Sequence, residues 1–193
     1  MTAATTRALD EVLGTAFARL AEGASDPGSG WRHVSLATVA ASVQPRVRTL
    51  VLRAFDAEAR TLDLHTDARS GKVAELQHHP RVALHAWNAS CSEQIRVQGT
   101  MALHTGDEVA RRAWSGLRPS TRETYRVTAA PGSVIGDPAE AVAGLDDESA
   151  FGVFMVLRLH IGEMEYLLID QSGHRRARFT WAAGRLASMW LVP

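Results

Sequence analysis

The chain has 193 residues, enough for one well-buried core and too few for two full-sized domains, so a single domain over 1–193 is expected. Its 21 basic and 21 acidic side chains cancel, which excludes a global field for nucleic acid or an anionic membrane and leaves anion recognition to local clusters. The single cysteine, Cys91, cannot form an internal disulfide; with no secretory-type start and no apolar run of spanning length, the expectation is a soluble cytoplasmic protein without a cysteine-rich zinc site.

Residues 6–20 place Leu9, Val12, Leu13, Phe17 and Leu20 on one helical face, which predicts an N-terminal helix within 1–22 with Thr5 or Thr6 as its cap. The Gly-, Ser- and Asp-rich stretch 22–30 predicts a break before the first strand. Strands are then expected over 33–39 and 46–55, the second dense in Val, Leu and Thr and opened by Pro45. A third, 61–66, precedes a short helix capped by Asp67 or Ser70 and ended by Pro80. Val82, Leu84 and Ala86 mark a fourth strand.

In the fifth strand Ile95, Val97, Gly99, Met101 and Leu103 alternate with Gln94, Arg96, Gln98, Thr100 and His104, giving one core face and one polar face. A helix is predicted over 107–117, and the capping-box spacing of Ser120 and Glu123 predicts another running to about Val127. The Pro-, Gly- and Asp-rich segment 128–150 is expected to be a long covering loop. Strands over 151–161, 164–170, 174–181 and 185–192 follow, punctuated by Gly162, Gly173 and Gly184. Most connections are too short for crossover helices. The predicted fold class is therefore mainly β with flanking helices (β+α): a closed or split antiparallel β-barrel.

Several clusters carry chemical potential. Arg69, Ser70, Gly71 and Lys72 stand at a helix entrance directly after a strand, where free N–H groups and a partial positive charge suit a phosphate; an ordinary serine cap with solvated cations is the alternative. Arg48 and Arg53 have opposite parity on one strand, so they face apart unless a bulge intervenes. Arg48 shares its face with Leu50 and Leu52 and needs an anionic partner, either a carboxylate or a ligand phosphate. Gln94 sits with Arg96 on the polar face, and its amide matches a heterocycle edge of alternating carbonyl and N–H groups. Trp114, Arg118 and Arg122 form an aromatic and cationic group suited to a second anion, or to plain helix packing. No metal site is expected, and no Ser-His-Asp, Walker-type or dinucleotide glycine pattern occurs.

Taken in order, these segments resemble the FMN-binding split barrel of the pyridoxamine 5′-phosphate oxidase family from about Val34 to Pro193. Arg48-Thr-Leu-Val-Leu-Arg53 matches its basic-ended strand motif, which implies flavin contacts at Arg48, Thr49, Leu50, Val51 and Arg53. His65 and Thr66 stand where a Tyr-Thr pair meets the flavin, Ser70 and Lys72 where the phosphate is held, and Gln94 at the isoalloxazine. Pro131-Gly-Ser133 is similar to a Gln-Ser contact, and Arg178 takes the place of a flavin-contacting Arg.

The substrate positions implied by the resemblance are Trp114, Arg118, Arg122 and Arg176, of which only Arg118 carries the family's residue type. Gly71 replaces a phosphate-binding Arg, and Leu167 a flavin-neighbouring Trp. The resemblance thus implies a homodimer with FMN at the subunit interface. It implies an FMN-dependent oxidoreductase related to pyridoxamine 5′-phosphate oxidase, which oxidises an amine or alcohol such as a B6 vitamer or reduces a small electron-poor substrate, the altered substrate positions speaking against true B6-vitamer oxidation. The alternatives are a flavin-binding or flavin-sensing module without turnover, or the same barrel holding haem or a deazaflavin.

Overall fold

The computed structural model describes residues 3–193; residues 1 and 2 of the expected 1–22 helix lie outside the described residues. Helix α1 spans Ala3–Ser25. Its buried Leu9, Ala16 and Leu20 join Val12, Leu13 and Phe17 against the barrel, as the apolar spacing predicts. Thr5 and Thr6 lie inside α1 rather than capping it, and the helix runs five residues past Leu20.

Eight strands follow: β1 (His33–Val39), β2 (Pro45–Asp56), β3 (Thr61–Asp67), β4 (Arg81–Asn88), β5 (Glu93–His104), β6 (Phe154–Leu168), β7 (Arg175–Ala182) and β8 (Arg185–Leu191). Their order is β3-β2-β1-β4-β5-β6-β7-β8, and β3 also pairs with β6. Six strands therefore close an antiparallel barrel, and β7 and β8 extend from it as a flap. The split occurs on β6: Phe154 to His160 pairs with β3, and Glu163 to Leu168 pairs with β7, while β5 runs beside both halves. A single strand thus replaces the two expected over 151–161 and 164–170. Gly162 is the extra residue at a bulge and does not end the strand, because pairing with β5 resumes on both sides of it.

The barrel interior is filled by Leu36, Leu52, Leu62, Leu64, Leu84 and Ile95, among others. Where β5 and β6 shift register between Gln98 and Gly99, a Cβ on Gly99 would stand 2.0 Å from the His160 carbonyl oxygen. Only glycine admits that approach. The β7–β8 hairpin turns on Ala183 and Gly184, both at positive φ (49° and 74°), the geometry of a two-residue primed turn.

Helix α2 (Gly71–His78) closes one region of the barrel beside β1, and α3 (Glu108–Ser115) lies over β6. Asp107 caps α3 through Ala110 N. Helix α4 covers Pro119–Arg122 and continues as a 3₁₀ turn, Glu123–Tyr125. The expected capping box at Ser120 and Glu123 is absent: Ser120 lies within α4, and Arg118 is its N-cap. Pro119 at the first helical position, with φ already set, starts the helix earlier.

The 128–150 segment is less featureless than its composition suggests. It contains a 3₁₀ turn, Pro138–Glu140, capped by Asp137, and a bridge from Val127 to Ala143. It gives way to α5 (Asp147–Val153), capped by Asp146, so residues 151–153 are helical rather than extended. A second apolar cluster, Ala110, Trp114, Tyr125, Ala150, Phe154 and Val156, ties α3 and α5 to β6. Among the described residues no helix is long and apolar enough to cross a membrane.

Candidate functional site

The clearest polar constellation lies where β3 enters α2. Asp67 turns the chain by accepting from Arg69 N at 2.8 Å and pairs with the Arg69 guanidinium at 2.6 Å. Arg69 is further tied to the carbonyls of Val127 and Thr128, so this cation is committed to the long loop. Ser70 occupies the N-cap position of α2 but makes no side-chain capping bond. Its buried hydroxyl instead accepts from Lys72 Nζ at 2.5 Å, and Lys72 also donates to Thr66 Oγ1 at 2.9 Å.

Lys72 is therefore an ammonium with two hydroxyl partners and, among the described residues, no directly bonded carboxylate. Burial lowers its pKa, and the nearby Arg48 lowers it further. An ammonium and hydroxyls at a helix entrance, with a second cation nearby, are groups of the kind that suit a phosphate. Gly71 leaves open space, since a Cβ there would meet nothing within 4 Å.

Arg48 does find a carboxylate. Its Nη2 donates to Glu75 Oε2 of α2 at 2.7 Å, and its Nη1 donates to the hydroxyl of Thr38 on β1. Thr38 in turn donates to the same Glu75 oxygen. Burial pushes the Glu75 carboxyl up, but hydrogen bonds from Thr38 and Arg48 outweigh it and leave the pKa below the ordinary range. The parity of β2 is broken where the register shifts between Leu52 and Ala54, placing Arg53 in a bulge. Leu50 packs against the core cluster, while Thr49 is exposed and Val51 half-buried.

Arg53 and His65 line a cavity of about 510 Å³ between the β2–β3 strands and α3, with Arg32, Asp63, Arg112 and Arg158. Asp63 and Arg158 form a two-point pair at 2.8 and 2.7 Å. That leaves Arg32, Arg53 and Arg112 in excess over Glu108, so the lining is net positive. The His65 ring stands edge-on to Phe154 at 4.9 Å. Burial, then the charge of Arg53, pulls its pKa down to about 4, so the imidazole is neutral near pH 7. Burial also lowers the Arg53 pKa. Burial lifts the Tyr125 phenol to about 12 despite Arg53.

The outer face of the sheet carries the remaining candidates. Gln94 Oε1 lies 3.1 Å from His85 Nε2, and Gln94 is flanked in register by Trp87 and Leu167. Arg176 stands opposite Leu167, and Arg178 opposite Glu165. Both arginines donate to the buried Glu165 carboxylate, at 2.7 Å and 2.6 Å respectively, and Arg96 approaches it at 3.5 Å.

Trp114 is 7% exposed and packs against Tyr125, Phe151 and Phe154. Arg122 lies over its ring at 5.2 Å and donates to its carbonyl. Arg118 is exposed, and Ser133 lies exposed in a turn closed on Ala130. No bond among the described residues joins Trp114, Arg118 or Ser133 to the Lys72 cluster. Sequence reasoning missed Thr38, Glu75 and Glu165. Two signals were available: Glu75 lies one turn after Lys72 on α2, and Glu165 is an acid between the apolar Met164 and Tyr166.

Fold and site together define an antiparallel split barrel with a basic, hydroxyl-lined helix entrance and a polar outer sheet. Residues 15–105 match the sequence model of the pyridoxamine 5′-phosphate oxidase, FMN-binding domain. Over that stretch the chain is similar to the pyridoxamine 5′-phosphate oxidase, FMN-binding family.

It is 30% identical over 108 residues to pyridoxine/pyridoxamine 5′-phosphate oxidase 2 of Arabidopsis thaliana, covering 52% of this chain and 54% of that one. It is 29% identical over 138 residues to the oxidase of Xanthomonas oryzae pv. oryzae, covering 70% and 67%. The chain thus matches only about half the length of the Arabidopsis relative. In structure it is similar to a pyridoxamine 5′-phosphate oxidase-related, FMN binding protein from Nostoc punctiforme, with a TM-score of 0.79 and 22% identity over 93% of this chain and 96% of that one. It is also similar in fold to PhzG from Burkholderia lata in complex with tetrahydrophenazine-1-carboxylic acid, with a TM-score of 0.72 and 17% identity over 98% and 92%.

Proposed function

We propose that the protein is a homodimeric FMN-binding flavoprotein and an oxidoreductase acting on a small anionic molecule. The observation that carries this reading is the Lys72 ammonium on Ser70 and Thr66, with Arg48 close by. This is the position at which the family resemblance calls for the flavin phosphate.

In this reading Lys72, Ser70, Thr66 and Arg48 hold the phosphoryl group. Gln94, Thr49 and Val51 offer the sheet face for the ring, and Arg178 supports it from β7 across the subunit interface. When bound, FMN supplies the electron and hydride chemistry, while the protein contributes binding and orientation. Arg53 in the net-positive cavity orients the anionic end of the substrate, and the neutral His65 presents a hydrogen-bonding edge without adding charge. The substrate differs from pyridoxamine phosphate, because Trp114 and Arg122 occupy positions where that substrate's family contacts are Tyr and Ser.

A second reading, a flavin-binding module without turnover, is favoured by one observation. Trp114 is buried and Arg122 stacks on it, so only Arg118 of that group is open to a ligand.

An absorbance spectrum of the purified protein and a titration with FMN test the cofactor. Lys72→Ala is expected to weaken FMN about tenfold, the scale of one charge-assisted contact, with an unchanged melting temperature. Wild-type protein that neither carries flavin bands nor takes up FMN would sink both readings. Anaerobic reduction of bound FMN by pyridoxamine phosphate would restore the B6 substrate, while reduction by another anionic donor alone supports the substrate class proposed.

A further inference from the structure

Resting on the FMN reading above, we propose that Glu75 is a positioning residue. It holds the Arg48 guanidinium in the orientation that receives the flavin's phosphoryl group, and so sets the preference for FMN over riboflavin. No contact of Glu75 with a ligand is needed for this role.

The geometry is a closed triangle. Arg48 Nη2 donates to Glu75 Oε2 at 2.7 Å, Arg48 Nη1 donates to Thr38 Oγ1, and Thr38 Oγ1 donates back to the same carboxylate oxygen. Arg48 Nη1 also lies 3.4 Å from the Leu36 carbonyl. The other carboxylate oxygen, Oε1, is 3.5 Å from Arg46 Nε. The side chain of Glu75 is 11% exposed and that of Arg48 22% exposed, whereas that of Arg46 is 60% exposed. The locked arginine is therefore the inner one.

Three features connect this triangle to the phosphate. Glu75 stands three residues beyond Lys72 on α2, so the two share a helical face. Both are within electrostatic reach of Arg48. An arginine on a β-strand has high rotamer freedom, and a planar guanidinium fixed at two donors presents its remaining edge in one direction only. A phosphate then meets a preorganised donor and need not order it.

A carboxylate beside a phosphate site has an opposite effect as well, since it repels the ligand. The two accounts differ in the sign of one measurement. If Glu75 only compensates the charge of Arg46, Arg48 and Lys72, removing its charge tightens FMN. If it positions Arg48, removing the charge loosens FMN although the cradle becomes more positive.

The test is titration of the full chain with FMN and, separately, with riboflavin, which lacks the phosphate. Wild type, Glu75→Gln and Thr38→Val are compared, with thermal melts run in parallel. Wild type should bind FMN more tightly than riboflavin. Glu75→Gln should lose about tenfold in FMN affinity and keep its riboflavin affinity, and Thr38→Val should shift the ratio in the same direction. An unchanged or tighter FMN affinity in Glu75→Gln overturns the inference, as does an equal loss for both flavins, which marks a structural role. Should Glu75→Gln not fold, Thr38→Val decides: a wild-type ratio of the two affinities overturns the proposal. Wild type that binds riboflavin and FMN equally removes the phosphate reading itself, and this inference with it.

Discussion

Arg178 donates to Glu165 through two atoms at once, Nε at 2.8 Å and Nη2 at 2.6 Å, both to Oε1. The second carboxylate oxygen takes Arg176 in the same two-atom fashion, at 3.2 and 2.7 Å. One acid on β6 therefore binds two arginines of β7, the strand that lies outside the closed barrel. This pairing anchors the flap through side chains in addition to its backbone ladder.

Glu165→Gln should destabilise the chain by about 1–2 kcal/mol at pH 7, less than a fully buried pair would give because the arginines are partly exposed. Burial pushes the Glu165 carboxyl up, and the hydrogen bonds from Arg176 and Arg178 outweigh it, so its folded pKa is depressed. The stabilisation is then present above the unfolded value of about 4.3 and lost as pH falls through the lower folded value. Urea midpoints at pH 7 and pH 3 check this: a gap between wild type and variant at pH 7 should narrow at pH 3.

His65 gives a second pH dependence at higher pH. Its folded pKa of about 4 lies below the unfolded value of 6.5, so protonation favours the unfolded chain. Stability should be complete above about 6.5 and should fall as pH drops toward 4, by up to ~3 kcal/mol from this residue. His65→Phe should flatten the stability profile across that window. An identical slope in wild type and variant would show that another group titrates there.

Trp114→Ala should cost about 3–5 kcal/mol, as for any large aromatic removed from a packed cluster. FMN affinity at temperatures where the variant stays folded should change less than twofold, because Trp114 shares no bond with the Lys72 cluster. A large loss of FMN affinity in the folded variant would move Trp114 into the cofactor site.

Gly99→Ala tests the register shift between β5 and β6. With a Cβ at 2.0 Å from the His160 carbonyl, either the ladder or the bulge must shift, at a cost of about 1–3 kcal/mol. A melting temperature equal to wild type would show that the two strands separate there without strain.

Much of the fold was legible in the sequence because strand alternation is a local signal. Residues 33–39 are a strand as predicted, and Ile95, Val97 and Met101 are buried opposite the polar Arg96 and Gln98. The errors occurred where pairing partners decide the outcome. Gly162 reads as a break but lies inside β6, since β5 supports both halves. Ser120 reads as a cap, but Pro119 starts α4 before it. The basic entrance to α2 was visible as spacing, yet the partners of its cations were not: Arg69 is committed to Asp67 and the loop, whereas Lys72 meets only hydroxyls among the described residues.

The sequence by itself determined the class of chain, most strand faces and a basic, hydroxyl-bearing entrance to α2, because periodicity and residue chemistry act over a few neighbouring positions. Only the tertiary structure decided which of those residues already have partners. Arg48 is satisfied by Glu75, 27 residues away, and Arg176 and Arg178 by Glu165 on the neighbouring strand. Arg53 sits in a bulge set by pairing with β3. Charges separated along the chain are brought within a few ångströms only by strand register and helix packing, and at that range one carboxylate decides whether an arginine is held in place or free.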